Sequence, residues 1–287
     1  MILKTLIYPN FSKSNAFECT VEAVNELIKY DFEVLMDNCY KSEFDKNQNI
    51  TFGDFDELAE NTDIIIAIGG DGTILRASVY AAKYKKLLLG INTGRLGFMA
   101  SLERGELSKL SLLNEGKYTV DRRMMLEISL EQDNKIEKYT ALNDAVISKS
   151  SFAKLPDFEI YCEGKEVNKV RSDGIVFSTP TGSTAYALSA GGPIIEPDVR
   201  CIEVTHICAH SLFARTMIFS AEKKLELICR KYDNNPVCLQ VDGKKKTEID
   251  NDSKLIITQS ENYVDLIDIN GSMFYRAIDE KLMMPIK

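Results

Sequence analysis

The chain has 287 residues, 45 % hydrophobic and 27 % charged, which suits one large or two ordinary domains with ample material for a buried core. A formal net charge of −8 argues against general binding to nucleic acid or to an anionic membrane, although a few local cations would suffice for an anionic small ligand. The seven cysteines include no C-x-x-C pair and their odd number cannot close fully into disulfides, so a reducing, cytoplasmic setting is expected.

In chain order, the first hundred residues alternate strand-like and helix-like patterns, as a parallel sheet with crossover helices requires. Lys4 to Tyr8 reads as a strand, and the apolar segment from Met1 to Pro9 is too short for a signal peptide or a membrane span. Val21, Val24, Leu27 and Ile28 share a helical face within Ala16 to Tyr30, Phe32 to Met36 reads as a second strand, and the acidic stretch Asp54 to Glu60 as a short helix. The strand Asp63 to Ile68 then runs into Gly69-Gly70-Asp71-Gly72-Thr73 and a helix from Ile74 to Tyr84. Lys86 to Ile91 forms another strand, closed by Asn92-Thr93-Gly94-Arg95-Leu96-Gly97-Phe98. Two glycine turns thus follow two strands at their carboxyl ends, the edge where open α/β sheets take ligands.

After about residue 118 the pattern changes to extended runs with period-two alternation, such as Met125 to Leu130, and from Phe158 onward short strands recur between turn signals. Those signals are Glu163-Gly164, Asp233 to Pro236, Asp242-Gly243, Asn251-Asp252 and Asn270-Gly271. The expected architecture is an α/β N-terminal domain with a parallel sheet over residues 1–117. A mostly β, sandwich-like domain follows over 118–275, and then a tail, 276–287, that returns to the first domain, with a short helix from Arg276 to Met284.

The turn at Asp71 carries the sharpest chemical signal. Glycines and a helix N-terminus present bare N–H groups to phosphate, but an ionised Asp in that place would repel it. Its carboxylate either receives a hydroxyl proton, or recruits a metal, or caps the helix. Neither Gly-Lys-Ser/Thr nor G-x-G-x-x-G spacing is present. A second signal runs from Arg171-Ser172-Asp173-Gly174 through the strand Ile175-Val176-Phe177 into Ser178-Thr179-Pro180-Thr181-Gly182-Ser183-Thr184-Ala185-Tyr186, a hydroxyl-rich turn suited to ribose hydroxyls or phosphate oxygens. Small residues in Leu188-Ser189-Ala190-Gly191-Gly192-Pro193 allow close approach. Asn143-Asp144, at a strand edge, is a weaker signal that fits either a turn or a ligand contact. His206 and His210 are spaced i, i+4, yet the alternation around His206 reads as a strand entering a loop and no third ligand stands nearby, so no metal site is expected.

In order and spacing, Gly69 to Thr73, Asn92 to Phe98, Asn143-Asp144, Ser172 to Tyr186 and Ser189 to Pro193 resemble the NAD kinase family, and the resemblance to its bacterial members covers nearly the whole chain. Gly-Gly-Asp-Gly alone is shared with phosphofructokinases and lipid kinases; the combination with Thr-Pro-Thr-Gly-Ser-Thr-Ala-Tyr is far more restrictive. The resemblance implies transfer of the terminal phosphoryl group of ATP, or polyphosphate, to the 2′-hydroxyl of the adenosine ribose of NAD. Asp71 is then the proton acceptor, with Gly72 beside it, and a divalent cation, Mg2+, accompanies the ATP phosphates.

Matched positions for NAD are Arg76, Phe98 near the adenine, Asn143, Asp144, Lys154, Arg171, Asp173, Thr184, Ala185, Tyr186, Ala187, Leu188 and Ser189. Arg171 stands where family members that prefer NAD carry Arg. Lys244 departs from the pattern: many members have Gln after this Asp-Gly, and a solvated hairpin turn is the better expectation here even though its backbone or head group could reach ligand. The resemblance further implies a homodimer or homotetramer. Two other readings compete: a lipid or sugar kinase of the same wider fold, supported only by the Asp71 turn, and a non-catalytic NADP(H)-binding sensor.

Overall fold

A strand buried on both faces has no reason to alternate, and Ile64, Ile65, Ile66, Ala67 and Ile68 are all essentially inaccessible. The computed structural model describes residues 2–13, 15–44, 49–94, 97–150, 154–231, 236–251, 253–271 and 273–283. Arg95 and Leu96 of the second glycine turn, Asp233 to Asn235, Asp252 and Met284 lie outside the described residues.

The chain divides into two units, Met1–Arg122 with Val264–Lys287, and Arg123–Tyr263. The first unit begins with β1 (Lys4–Pro9), α1 (Ala16–Lys29), β2 (Glu33–Asp37), α2 (Lys41–Phe44), β3 (Ile50–Gly53), α3 (Phe55–Asn61), β4 (Ile64–Gly69), α4 (Asp71–Tyr84), β5 (Leu87–Asn92), β6 (Leu102–Glu103) and α5 (Ser111–Asn114). Its strands pair in the order β3-β2-β1-β4-β5, all parallel. The short β3 was not among the expected elements, because four residues with an exposed Thr51 carry too little pattern to read.

Next come β7 (Thr119–Gln132), β8 (Lys135–Ala141), β9 (Asp144–Lys149), β10 (Asp157–Cys162), β11 (Lys165–Arg171), β12 (Gly174–Ser178), α6 (Tyr186–Ser189), β13 (Cys201–Ile207), β14 (Met217–Ser220), β15 (Leu225–Arg230), β16 (Val237–Val241), β17 (Lys244–Ile249) and β18 (Lys254–Asp268). The second unit is a sandwich of antiparallel sheets: one has the order β14-β13-β12-β9-β16-β17, and the other contains β11-β10-β15-β18 with β7 and β8. Its core draws from both, with Ile147, Ile175, Phe177 and Leu239 of the first sheet packed among Phe158, Ile160, Leu227 and Leu255 of the second. Within the first unit, Asp265 and Leu266 of β18 pair with Leu87 and Leu88 of β5, again parallel.

The chain closes with α7 (Met273–Ile278) and a π-helical turn, Asp279–Met283. The return to the first unit begins at Val264, on β18, ahead of the Arg276 break read from the sequence.

Candidate functional site

Each unit carries its own cluster of the motif residues. In the first, β4 ends at Gly69, and Gly70, in an extended conformation, stands as the N-cap of α4 without any side-chain cap. Asp71 is therefore the first helical residue, where a negative charge meets the positive end of the helix dipole. Its carboxylate turns away from its own helix: Oδ2 accepts from the Phe98 N–H at 3.0 Å and Oδ1 from the Met99 N–H at 3.2 Å. The helix-cap alternative fails on this geometry. A Cβ built on Gly97 would stand 2.0 Å from Asp71 Oδ1, so the glycine is what lets the loop after β5 close on the carboxylate. Around Gly70 and Gly72, by contrast, a Cβ would meet nothing within 4 Å, which leaves the face of the turn open.

One turn further along α4, Arg76 donates from Nη2 to Thr73 Oγ1 at 3.3 Å, and Asn10 Nδ2 donates to the same oxygen at 3.1 Å. A residue far along the chain also reaches the turn: Lys281 Nζ lies 3.2 Å from Asp71 Oδ2 and 4.7 Å from the centre of the Phe98 ring.

In the second unit Asn143 and Asp144 sit at the start of β9, and their backbone is organised by Asp242. That residue opens the Asp242-Gly243 hairpin between β16 and β17, with φ of 50° and 72° as such a turn requires. Its Oδ2 accepts from Leu142 N–H at 2.9 Å, and its Oδ1 from Asn143 N–H at 2.8 Å and Asp144 N–H at 3.2 Å. The Asp242 carboxyl lies above its ordinary range because it is buried, with those three N–H groups opposing the shift.

Asp144 is 5 % exposed. Burial, then the charge of Asp242, pushes its carboxyl up to about 7, against a hydrogen bond from the Tyr186 N–H. Beside it, Asn143 Oδ1 is buried with no hydrogen-bond partner among the described residues, which is unusual for a polar atom and marks it as ready for a ligand donor.

The hydroxyl-rich turn folds onto the same place. Thr179 N–H donates to Asn143 O at 2.9 Å and Thr179 Oγ1 to Leu142 O at 2.6 Å, while Gly182, where a Cβ would stand 2.2 Å from Asn143 O, permits that approach. A 3-10 turn, Gly182–Thr184, then leads into α6. Thr184 and Ala185 are half-buried, Tyr186 and Ser189 exposed, Ala187 fully buried and Leu188 half-buried. Asp144 and the Thr184–Ser189 segment are thus joined through Tyr186.

The remaining expected cations are placed less directly. Arg171, at the end of β11, makes a bidentate pair with Asp157 across the β10–β11 hairpin, at 2.7 and 3.1 Å, so its charge is already matched. Asp173 pairs with Lys149 Nζ at 2.9 Å. Lys154 and Lys244 are exposed, the latter at the start of β17. His206 lies on β13, its Nε2 3.2 Å from Asn168 Nδ2, with its basicity lowered by burial; His210 donates its backbone N–H to Arg171 O. Asp157, Asp242 and Lys281 contact the expected residues and were not among those matched to the site. Of these only Asp242, as half of an Asp-Gly turn signal, had a sequence mark at all.

A parallel α/β unit with a carboxylate at a strand–glycine–helix turn, joined to an antiparallel sandwich with a polar loop, defines a nucleotide-handling enzyme. The N-terminal domain of ATP-NAD kinases matches residues 6–118 and their C-terminal domain matches 142–269. NAD kinases similar to it include those of Clostridium tetani, 36 % identical over 90 % of this chain and 94 % of that one, and of Thermoanaerobacter sp. strain X514, 33 % identical over 97 % and 98 %. Among solved structures, yeast NADH kinase complexed with NADH has a TM-score of 0.89 at 23 % identity, over 100 % of this chain and 89 % of that one, a likeness of fold. An NAD kinase from Archaeoglobus fulgidus in complex with ATP has a TM-score of 0.70 at 25 % identity, over 99 % and 100 %. The chain belongs to the NAD kinase family: it is a phosphotransferase that uses an alcohol acceptor, carrying a phosphoryl group from ATP to NAD to give NADP.

Proposed function

We propose that Asp71 is the proton acceptor of this reaction and that Asn143, Asp144 and the Thr184–Ser189 segment hold the dinucleotide. The observation that carries the first assignment is the fixed Asp71 carboxylate, held by two N–H donors beside the open glycines Gly70 and Gly72. A metal-ligand role is not needed to explain it. An Asp is a weak base at neutral pH, but phosphoryl transfer runs through a loose transition state in which the attacking hydroxyl gives up its proton late. Alignment and a hydrogen bond then matter more than basicity.

The 2′-oxygen of the ribose attacks the terminal phosphorus of ATP and its proton passes to Asp71. The bond from that phosphorus to the bridging oxygen breaks, and ADP leaves with the electron pair. Mg2+ enters as part of the ATP substrate, where it offsets phosphate charge.

In the second unit, the unpartnered Asn143 Oδ1 and the partly protonated Asp144 are suited to ribose hydroxyls or the carboxamide, supporting their part in binding. Gly72, Arg76 and Phe98 complete the acceptor side around Asp71. Arg171 contributes through its pair with Asp157, shaping the strand end before Asp173, and Lys154 and Lys244 contribute as exposed cations. The archaeal relative's complex with ATP supports ATP as donor. Seven free thiols fit a cytoplasmic setting. Among the described residues no helix is long and apolar enough to cross a membrane. Assembly as a homodimer or homotetramer, which the family resemblance implies, belongs to the same reading.

Asp71→Asn keeps the size of the side chain and one of its two acceptor oxygens while removing its capacity to take a proton. With ATP, Mg2+ and NAD supplied, NADP formation should fall by about 10²- to 10⁴-fold. Turnover equal to that of the unaltered protein would take the role from Asp71.

A further inference from the structure

The ammonium of Lys281 touches the same carboxylate oxygen that the Phe98 N–H holds, 3.2 Å from Asp71 Oδ2, although the two residues are 210 positions apart. It is aimed there by more than one contact. Ala277 is fully buried and Phe274 nearly so, and Arg276 clamps the segment through Glu103 Oε1 at 2.6 Å and Glu280 Oε1 at 3.0 Å. Lys281 follows on the π-helical turn Asp279–Met283, a rare geometry concentrated at functional places in helices. Its head group also lies over the Phe98 ring, whose face attracts a cation. The side chain is 30 % exposed, so it is neither free in solvent nor sealed away.

We propose that Lys281 is a catalytic residue of the phosphoryl-transfer site, an inference that rests on the reading of Asp71 as proton acceptor. A carboxylate at a phosphate-binding turn repels the incoming phosphoryl group, and the ammonium answers that charge where it arises. One N–H of Lys281 holds Oδ2, which fixes the carboxylate for the ribose hydroxyl. The ammonium has three donors, so others remain for the equatorial oxygens of the phosphoryl group as charge builds on them. The proton of the hydroxyl goes to Asp71 and the leaving electrons go with ADP.

Steady-state kinetics of Lys281→Met, which keeps the length and apolar stem, and of Lys281→Arg, which keeps the charge, test this alongside Asp71→Asn. Lys281→Met should lower kcat by roughly tenfold to hundredfold with the KM for NAD within about threefold, and Lys281→Arg should recover most of the loss. An unchanged kcat in Lys281→Met overturns the proposal. So does a lower KM for NAD with equal or higher kcat, which would make the tail a plug over the acceptor site. If Asp71→Asn loses turnover while Lys281→Met does not, only the assignment of Lys281 falls; if Asp71→Asn turns over normally, both fall.

Discussion

Asp71 and Asp144 are carboxylates beside small-residue turns, one in each unit, and their surroundings push them toward different work. Asp71 is about a third exposed and meets two N–H donors and an ammonium. Asp144 is buried, with an N–H from Tyr186 and a like charge, Asp242, that has drawn three nearby backbone donors to itself. Asp71 is held in one pose as an acceptor. Asp144, poised at about 7, can donate to a ligand hydroxyl or accept from it. Residue type alone does not set the role of a carboxylate; the donors and charges that face it do.

Short of replacing Asp71 itself, the largest blow to this contrast comes from Gly97→Ala. A methyl group there would stand 2.0 Å from Asp71 Oδ1, so the carboxylate must move by about an ångström. A displacement of that size at a reacting group costs about 10²-fold. Kinetics should show kcat falling by that order while thermal melting stays near that of the unaltered protein; an unchanged kcat would mean that the pose of Asp71 does not matter.

Asp242→Ala probes the other side. It leaves three backbone N–H groups without their acceptor, each costing about 1–3 kcal/mol where buried, while relieving the burial of one carboxyl. The net expectation is a Tm lower by several degrees and weaker NAD binding, since Asn143 and Asp144 lose the frame that aims them. Calorimetry reads both.

The smallest effect is a slope. Asp144 has a folded-state value of about 7 against 3.8 for the free side chain, so between these the folded protein holds a proton that the unfolded chain releases. The stability this gives is full below about pH 4 and is lost as pH rises through about 7. Asp144→Asn should flatten the fall of Tm across that window, and equal slopes in the two proteins would show that Asp144 is not so poised.

Much of this was legible in the chain, for physical reasons. The parallel strands announced themselves because burial on both faces leaves only apolar residues, and the long helices by their one-sided periodicity. The β half was visible through alternation and Asp-Gly or Asn-Gly turns. Asp71 stood out because a carboxylate is anomalous where N–H groups gather.

What stayed hidden depends on contacts between distant positions. Asp242 reaches residues about 100 positions away, and Lys281 reaches Asp71 across 210. No local pattern encodes either. Arg171 shows the same limit: the sequence matched it to a position for NAD, and only the register of β10 against β11 reveals Asp157 opposite it.

Acting on the hydroxyl and merely helping to hold NAD are different roles for Asp71. Calorimetric titration of NAD onto Asp71→Asn, set beside its kcat for NADP formation, separates the two. A role on the hydroxyl requires a dissociation constant within about threefold of the unaltered protein together with a kcat lower by about 10²-fold or more. A variant whose NAD binding weakens as much as its turnover would contradict it, making Asp71 a binding residue only.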